Sequence, residues 1–360
     1  MAAAKSPYGL ILAGGRGTRF WPRSRRRLAK QVLSVVGEST LIQATVERLR
    51  PAIPPERLWV LTNPHLRPEI IRQLPEVPRE QILAEPEQRN TAPAIGLAAH
   101  ILRSIDPNAV MGIFPSDHVI LRPRRYLRML RAAMNAAGEG KMVVLGIQPT
   151  RPDTAFGYIE FPEGITPGGL GYQPVVRFRE KPDPATAAGY LASGRFFWNA
   201  GMFFWRAEVL LNALRRYLPR TASLLSVLPP FGDRRFPAKL KEVFPLCENI
   251  SIDYAVLERA EGVVGLACDD IGWNDVGSWD AVYELLPRDS HGNVARAEML
   301  AHESRGNYVD ASGKLVALLG VQDLIIVDTP DALLVADRHR AQQVSELVRH
   351  LEKGGRDDLL

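Results

Sequence analysis

Leu12-Ala13-Gly14-Gly15-Arg16-Gly17-Thr18-Arg19-Phe20-Trp21-Pro22-Arg23-Ser24-Arg25 follows a short apolar run that reads as a buried strand. An amphipathic stretch that reads as a helix comes after it. A glycine-rich turn leaving a strand exposes backbone N–H groups, and glycine lets a phosphate approach the main chain. Met1 to Gly37 holds eight Lys or Arg and no Asp or Glu. Amides plus guanidinium groups, with nothing that repels an anion, suit a polyphosphate. The loop lacks the Gly-x-x-x-x-Gly-Lys-Ser/Thr of a Walker P-loop, and Phe20 stands where a dinucleotide fingerprint needs its third glycine. A tight turn with a solvated basic tail is the plainer alternative, and the arginine density argues against it.

Outward from this loop, apolar strands alternate with helical patterns up to about residue 150. Strands are expected at Tyr8–Leu12, Leu58–Thr62, Gln81–Glu85, Val110–Phe114 and Met142–Ile147, and helices at Leu41–Leu49, Ala92–Ser104 and Arg124–Ala137. Ile42, Val46 and Leu49 share one helix face, with Ser39 or Thr40 as N-cap. Such alternation predicts an α/β fold with a doubly wound, mostly parallel sheet, and ligands at the carboxyl ends of its strands.

From 155 to 290 the pattern is mixed. Phe156–Phe161, Val175–Glu180 and Phe203–Trp205 read as strands, Pro184–Leu191 and Ile252–Arg259 as helices, and Pro162–Gly171 as an exposed hairpin turn. Beyond Leu286-Pro287 the character changes. Short strands at Asn307–Val309, Leu315–Leu319, Leu324–Val327 and Leu333–Val335 are parted by polar turns, and Val344, Leu347, Val348 and Leu351 mark a terminal amphipathic helix. Two domains are expected, a catalytic one over 1–286 and a small all-β one over 287–360.

The composition, 46% hydrophobic and 24% charged, is that of an ordinary globular protein. The net charge of +5 is concentrated near the N-terminus rather than spread over an aromatic-studded face, which argues against nucleic-acid binding. Cys247 and Cys268, the two cysteines, have no zinc spacing and read as buried thiols of a reducing compartment. No signal peptide or membrane span is evident, so a cytoplasmic protein without membrane contact is expected.

Several other segments carry chemistry. Asp117, in Pro115-Ser116-Asp117-His118, follows a strand and reads as a turn residue or as a carboxylate for Mg²⁺. His118 reads as structural, because Mg²⁺ prefers oxygen. Asp275, in Trp273-Asn274-Asp275-Val276-Gly277-Ser278-Trp279, reads as a turn before a helix capped by Ser278, or as a second metal carboxylate. Lys181, in Phe178-Arg179-Glu180-Lys181-Pro182, is expected in an extended conformation, either solvated or reaching a phosphate monoester. Phe156-Gly157-Tyr158 and Phe197-Trp198-Asn199-Ala200-Gly201 read as buried strands or as sugar-contacting surfaces. In Glu85-Pro86-Glu87-Gln88-Arg89-Asn90-Thr91, Asn90 or Thr91 can cap a helix.

The order of these motifs resembles the sugar nucleotidyltransferases, and Trp21-Pro22-Arg23-Ser24-Arg25 with Lys30-Gln31 resembles the mannose-1-phosphate guanylyltransferases in particular. The family places proline before the signature lysine, whereas this chain has Ala29. The resemblance implies transfer of GMP from GTP to α-D-mannose 1-phosphate with release of pyrophosphate. It assigns Arg19 and Lys30 to the triphosphate and Mg²⁺ to Asp117 and Asp275. Leu12, Ala13, Gly14, Gly15, Gly17, Thr18, Glu85, Asn90 and Thr91 fall to the nucleotide. Gly157, Glu180, Lys181, Asn199 and Asp253 fall to the sugar phosphate. It also implies a left-handed β-helix-like C-terminal module serving a homodimer, against the rival of a monomer whose tail folds back on its own catalytic domain. Transfer of another base or hexose, and a non-catalytic ligand sensor, are the alternatives. Bifunctional relatives add a long extension for phosphomannose isomerase, and none follows here, so no isomerase activity is expected.

Overall fold

A computed structural model describes residues 7–360. The N-terminal strands form where apolar runs leave glycine or polar turns. They are β1 (Tyr8–Leu12), β2 (Leu58–Thr62), β3 (Ile82–Ala84), β4 (Val110–Pro115), the short β5 (Val119–Ile120) and β6 (Met142–Ile147). Next come β7 (Tyr158–Glu160), β8 (Gln173–Pro174), β9 (Arg177–Arg179), the long β10 (Phe196–Arg206), β11 (Val263–Cys268) and β12 (Trp273–Asn274). The main sheet runs β3-β2-β1-β4-β10-β6-β11-β8, parallel except where β10 and β8 enter.

Both sheet faces are covered, as near-continuous apolar strands require. The helices are α1 (Leu41–Leu49), α2 (Arg67–Gln73), α3 (Thr91–Ile105), α4 (Pro123–Gly138), α5 (Pro184–Ser193), α6 (Ala207–Tyr217), α7 (Pro219–Ser226), α8 (Phe236–Val243), α9 (Trp279–Leu285) and α10 (Val344–Lys353). One core packs α3, α6 and α7 on the sheet, and the other packs α1 and α4 on the opposite face. Thr40 caps α1 with a reciprocal box to Gln43, as the expected N-cap position implies.

Four expectations need correction. The segment Pro162–Gly171 is no hairpin: Gln173–Pro174 crosses to pair with β11 before β9 returns to β7. Ile252–Arg259 contains one π-helical turn, Asp253–Leu257. Ser278 stands at the N-cap of α9, but its side chain makes no capping hydrogen bond. The expected strands Asn307–Val309 and Leu315–Leu319 are one strand, β14 (Tyr308–Leu319), because a register shift against its neighbour Val294–His302 absorbs the intervening Ser312-Gly313.

The C-terminal module holds β13 (Val294–His302), β14, β15 (Leu324–Asp328) and β16 (Leu333–Asp337). Its first three strands stack in parallel, the rung geometry of a β-helix, and β16 closes antiparallel. The module has a small core of its own around Val309, Leu318 and Ile326, and a larger one that it shares. Tyr308, Ile325, Val327, Leu334, Val344 and Val348 share a cluster with Phe20, Trp21, Val276 and Trp279 of the N-terminal part. The tail therefore folds back onto its own chain, as the rival arrangement requires.

Candidate active site

The glycine loop is shaped by side chains that take its carbonyls. Gln31 Nε2 donates to the carbonyls of Ala13 at 2.8 Å and Gly15 at 3.0 Å, and Thr62 Oγ1 donates to Ala13 at 2.9 Å. Gln88 and Asn63 donate to the carbonyl of Gly14. Among the described residues, the N–H groups of Gly14, Gly15, Arg16 and Gly17 have no protein acceptor. With the carbonyls turned into the protein, those amides form an anion cradle. Thr62 and Asn63 do not stand out in the sequence, and Gln31 does so only as the neighbour of Lys30, with no role of its own. A single sequence does not show which distant amide will meet a loop carbonyl.

Gly17 has φ +61, and a Cβ there would lie 2.6 Å from Lys30 Cβ and 2.8 Å from Lys30 N. Close approach of the two signature segments therefore requires glycine. Gly15 differs: a Cβ would meet nothing within 4 Å. Ala29 is buried with φ −72 and ψ 165, a backbone that proline also adopts, so the alanine leaves Lys30 in a proline-like setting.

Lys30 is buried. Its ammonium donates to Asp117 Oδ2 at 2.7 Å and to the Asp275 carbonyl at 2.7 Å, and it lies over the Phe20 ring. Burial works against the Asp117 carboxylate, but the Lys30 charge and hydrogen bond outweigh it and hold its pKa below the usual value. Burial pushes the Asp275 carboxyl up, and the nearby Asp117 adds to this while Lys30 and Arg19 pull it back. Burial drives His118 down to about 4, so its ring is neutral, and its Nδ1 accepts from Trp273 Nε1 at 3.1 Å. His118 thus braces Trp273 at the cavity wall.

Two cavities flank this centre and share Leu12 and Thr91. The first, about 490 Å³, is lined by Gly14, Gly15, Glu85, Gln88 and Asn90. Glu85 is buried there, and burial pushes its carboxyl up to about 8. Asn90 caps α3 by accepting from Thr91 N, and Thr91 Oγ1 accepts from Ile252 N. The second, about 320 Å³, is lined by Gly157, Glu180, Lys181, Asn199 and Asp253, with Asp275 at its edge.

A bulge in β10 between Asn199 and Phe203, with Gly201 at φ +65, presents Asn199 to the second cavity. Asn199 Nδ2 donates to Asp253 Oδ1 at 2.9 Å, and Gly201 N donates to Asn199 Oδ1 at 3.0 Å. Burial raises the carboxyls of both Asp253 and Glu180, the latter to about 6. The Glu180 carboxylate occupies the space a Cβ at Gly157 would need. Phe156 packs edge-on against Trp198 and Trp273, giving the cavity an aromatic wall. In the sequence, Trp273 stands out only as a neighbour of Asp275.

Lys181 corrects its expectation. Its φ is +47, not extended, although proline follows. The Glu180 N–H donates to Glu258 Oε1 at 2.9 Å and turns the chain, leaving the Lys181 side chain exposed beside Glu180. Asn90, Lys181 and Val276 are three of the five non-glycine residues with positive φ among the described residues, and all three border the site. Backbone strain concentrates where geometry is over-determined by its surroundings.

The donor set fits a hard divalent cation. Asp117 and Asp275 supply oxygen, and among the described residues no group of three or more His, Cys, Asp or Glu could hold a metal alone. Mg²⁺ typically takes one or two carboxylates and completes its shell with phosphate oxygens and water. The Arg19 charge is near enough to favour the ionised Asp275 carboxylate, and Thr18 precedes Arg19 in the loop.

Known proteins resemble both parts of the chain. Residues 297–351 match the mannose-phosphate isomerase/GMP-like β-helix domain. The chain is 39% identical to the xanthan biosynthesis protein XanB of Xanthomonas campestris, over 97% of this chain and 74% of that protein. It is 37% identical to the mannose-1-phosphate guanylyltransferase ManC of Salmonella typhimurium, over 98% of this chain and 74% of that one. A crystal structure from Thermus thermophilus, described as a mannose-1-phosphate geranyltransferase, superposes with a TM-score of 0.84 at 34% identity and covers 96% of this chain and 99% of that one. Residues 8–291 match the nucleotidyl transferase model, and on that match, the ordered motifs and the fold, this chain belongs to the nucleotidyl transferase family of enzymes.

Proposed function

We propose that the chain transfers GMP from GTP to α-D-mannose 1-phosphate, giving GDP-mannose and pyrophosphate. The observation that carries this reading is the pair of adjoining cavities, one lined by unpaired loop amides and one by an aromatic wall with carboxylates and Asn199. A phosphate oxygen of the sugar phosphate attacks the α-phosphorus of GTP in line. The new O–P bond forms as the bond to the β-phosphate oxygen breaks and pyrophosphate leaves. Two anions must meet, so positioning and charge neutralisation dominate. The amides of Gly14 to Gly17, with Leu12, Ala13 and Thr18 framing them, and Arg19 hold the triphosphate. Lys30, now held by Asp117, orients the metal carboxylates and adds positive charge beside the phosphates. Mg²⁺ on Asp117 and Asp275, when bound, neutralises phosphate charge at the reacting centre. The test is pyrophosphate release across a panel of nucleoside triphosphates and hexose 1-phosphates, with and without Mg²⁺. GTP with mannose 1-phosphate is expected to turn over fastest, and a faster pair would replace this assignment.

In the first cavity, Glu85, Asn90 and Thr91 receive the base. Guanine's N1–H and NH₂ donate best to an ionised carboxylate, so bound GTP draws the Glu85 pKa down from about 8. The sign follows directly: at pH 7 free Glu85 is mostly protonated, so GTP binding releases close to one proton (about 0.9) and affinity rises with pH up to about 8. Calorimetry in buffers of different ionisation enthalpy reads that proton. In Glu85→Gln the release should vanish and GTP should bind more weakly. A variant that binds GTP normally would remove Glu85 from base recognition.

In the second cavity, Lys181 meets the sugar phosphate while Gly157, Glu180, Asn199 and Asp253 meet the hydroxyls. Charge-assisted contacts contribute about 1.5–3 kcal/mol, so Lys181→Gln should raise KM for mannose 1-phosphate roughly tenfold to a hundredfold. KM for GTP should stay near its starting value. Equal changes in both would contradict the assignment.

The reading extends to a catalytic domain over 1–286, a β-rich domain over 287–360, and a homodimer. Leu300, Leu315, Leu319, Leu333 and Val335 are each more than half exposed on the outer faces of the terminal module, an apolar surface that a second copy would cover. Light scattering should give twice the 39.9 kDa chain mass, and Leu300→Glu with Leu319→Glu should halve it. A monomeric parent at micromolar concentration would reject the dimer. Free, buried Cys247 and Cys268 support a reducing, cytoplasmic setting, and no helix among the described residues is long and apolar enough to cross a membrane. Nothing in the basic-residue pattern supports a nucleic-acid partner.

A further inference from the structure

The signature loop is finished by the far end of the chain. Phe20 packs on Trp279 with ring centroids 5.0 Å apart, and Trp279 packs on Tyr308 at 5.6 Å. The Trp21 indole donates to the Leu359 carbonyl at 3.0 Å, and the Trp21 carbonyl accepts from Trp279 Nε1 at 3.2 Å. Residues directly after Arg19 are thus fixed in a core whose other half comes from beyond residue 294.

The loop arginines are held from the same side, but not alike. Arg16 pairs with the Glu352 carboxylate at 2.5 Å, which cancels much of its charge. Arg23, Arg25 and Arg26 likewise pair with Asp310, Asp331 and Asp357. Arg19 is the exception. Its Nη1 donates to the side-chain carbonyl of Gln342 at 2.6 Å. A neutral acceptor fixes one arm of the guanidinium fork and leaves the positive charge unspent. The Asp275 carboxylate is close by and attracts Arg19: a Cβ at Gly277 would lie 2.9 Å from Asp275 Oδ2 and 3.4 Å from Arg19 Nη1. Without the Gln342 tether, Arg19 is free to close onto the Asp275 carboxylate, which neutralises a phosphate-binding charge and blocks a metal-binding oxygen together.

We propose that Gln342, on the terminal module, is a positioning residue for nucleotidyl transfer: it holds Arg19 toward the triphosphate and off Asp275, so the module completes the active site of its own chain. This rests on the reading that Arg19 binds the triphosphate.

Full-length Gln342→Met, Gln342→Glu, Arg19→Met and the Arg19→Met/Gln342→Glu double variant test it, with both KM values, kcat and melting temperature measured. Gln342 is exposed, so melting temperatures should match the parent. Gln342→Met removes one hydrogen bond and should raise KM for GTP about threefold to tenfold, with KM for mannose 1-phosphate unchanged. Gln342→Glu turns the tether into an ion pair that competes with phosphate and should raise it further, roughly tenfold to a hundredfold. In the Arg19→Met background Gln342→Glu should add nothing. If Arg19→Met impairs GTP use while both single Gln342 variants stay within about twofold of the parent, the positioning role is overturned and the Arg19 assignment stands. If Arg19→Met leaves KM for GTP unchanged, the underlying assignment fails and the role falls with it. Equal effects on both substrates, or a Gln342→Glu loss that persists without Arg19, also overturn the proposal.

Discussion

Asp275→Asn should reduce turnover at saturating Mg²⁺ by about 100-fold or more while leaving the fold intact. The reason lies in which atom of Asp275 does what. Lys30 bonds its backbone carbonyl, not its carboxylate, so the substitution keeps that hydrogen bond and the loop it anchors. What disappears is one of two half-buried carboxylate charges. Burial already pushes this carboxyl up, so in the parent it holds its charge best beside a cation. Charge neutralisation by a metal contributes several kcal/mol to a phosphoryl-transfer barrier, and each 1.36 kcal/mol is a factor of ten, which sets the size of the loss. Extra Mg²⁺ should restore little of it. Melting temperature should hold or rise, because the asparagine no longer places an ionisable acid in a desolvated position. Turnover within about threefold of the parent would remove Asp275 from the metal site.

Two glycine substitutions two residues apart should behave as opposites in stability. At Gly17, alanine meets the Lys30 backbone and a φ of +61 that costs a side chain about 1–2 kcal/mol. Gly17→Ala should therefore lower melting temperature and push Lys30 away from Asp117. A displacement on the order of 1 Å at such a site costs roughly 100-fold in rate. At Gly15 the protein offers no obstacle to a Cβ, and its φ is not among the positive ones. Gly15→Ala should leave stability untouched and instead raise KM for GTP, because the only close approach that explains glycine there is that of a bound phosphate. Thermal melts and steady-state kinetics on both variants give the comparison. Loss of stability at Gly15, or full activity at Gly17, would contradict this account of the loop.

Local pattern made the catalytic half legible. The strands Tyr8–Leu12, Leu58–Thr62 and Met142–Ile147 and the helix Leu41–Leu49 match the expected bounds, since each is a clean apolar run or face between strong turn or cap signals. The site was legible where a residue follows a strand: Gly14, Asp117 and Lys181 all do. What was hidden depends on long-range partners. Helices α6, α7 and α8 lack a side-chain N-cap, although proline opens α7 and α8, and β13 mixes Glu298 with the apolar Leu300 among its exposed positions, which blurs its alternation. The turn at Lys181 is set by Glu258, far away in sequence, which overrides the extended preference before proline. Gln31, Trp273 and Gln342 gained roles only once folding brought Gly15, Phe156 and Arg19 to them.

The central claim is that two adjoining cavities hold the two halves of one nucleotide sugar, with their phosphates meeting at Asp117 and Asp275. A crystal structure of the full chain with GDP-mannose and Mg²⁺ tests it most directly. The account predicts guanine beside Glu85 and Asn90, mannose against Phe156 with Asn199 and Asp253 on its hydroxyls, the diphosphate between Arg19 and Lys181, and the metal bridging it to both aspartates. Guanine in the cavity of Asn199, or a metal bound away from Asp117 and Asp275, would contradict it.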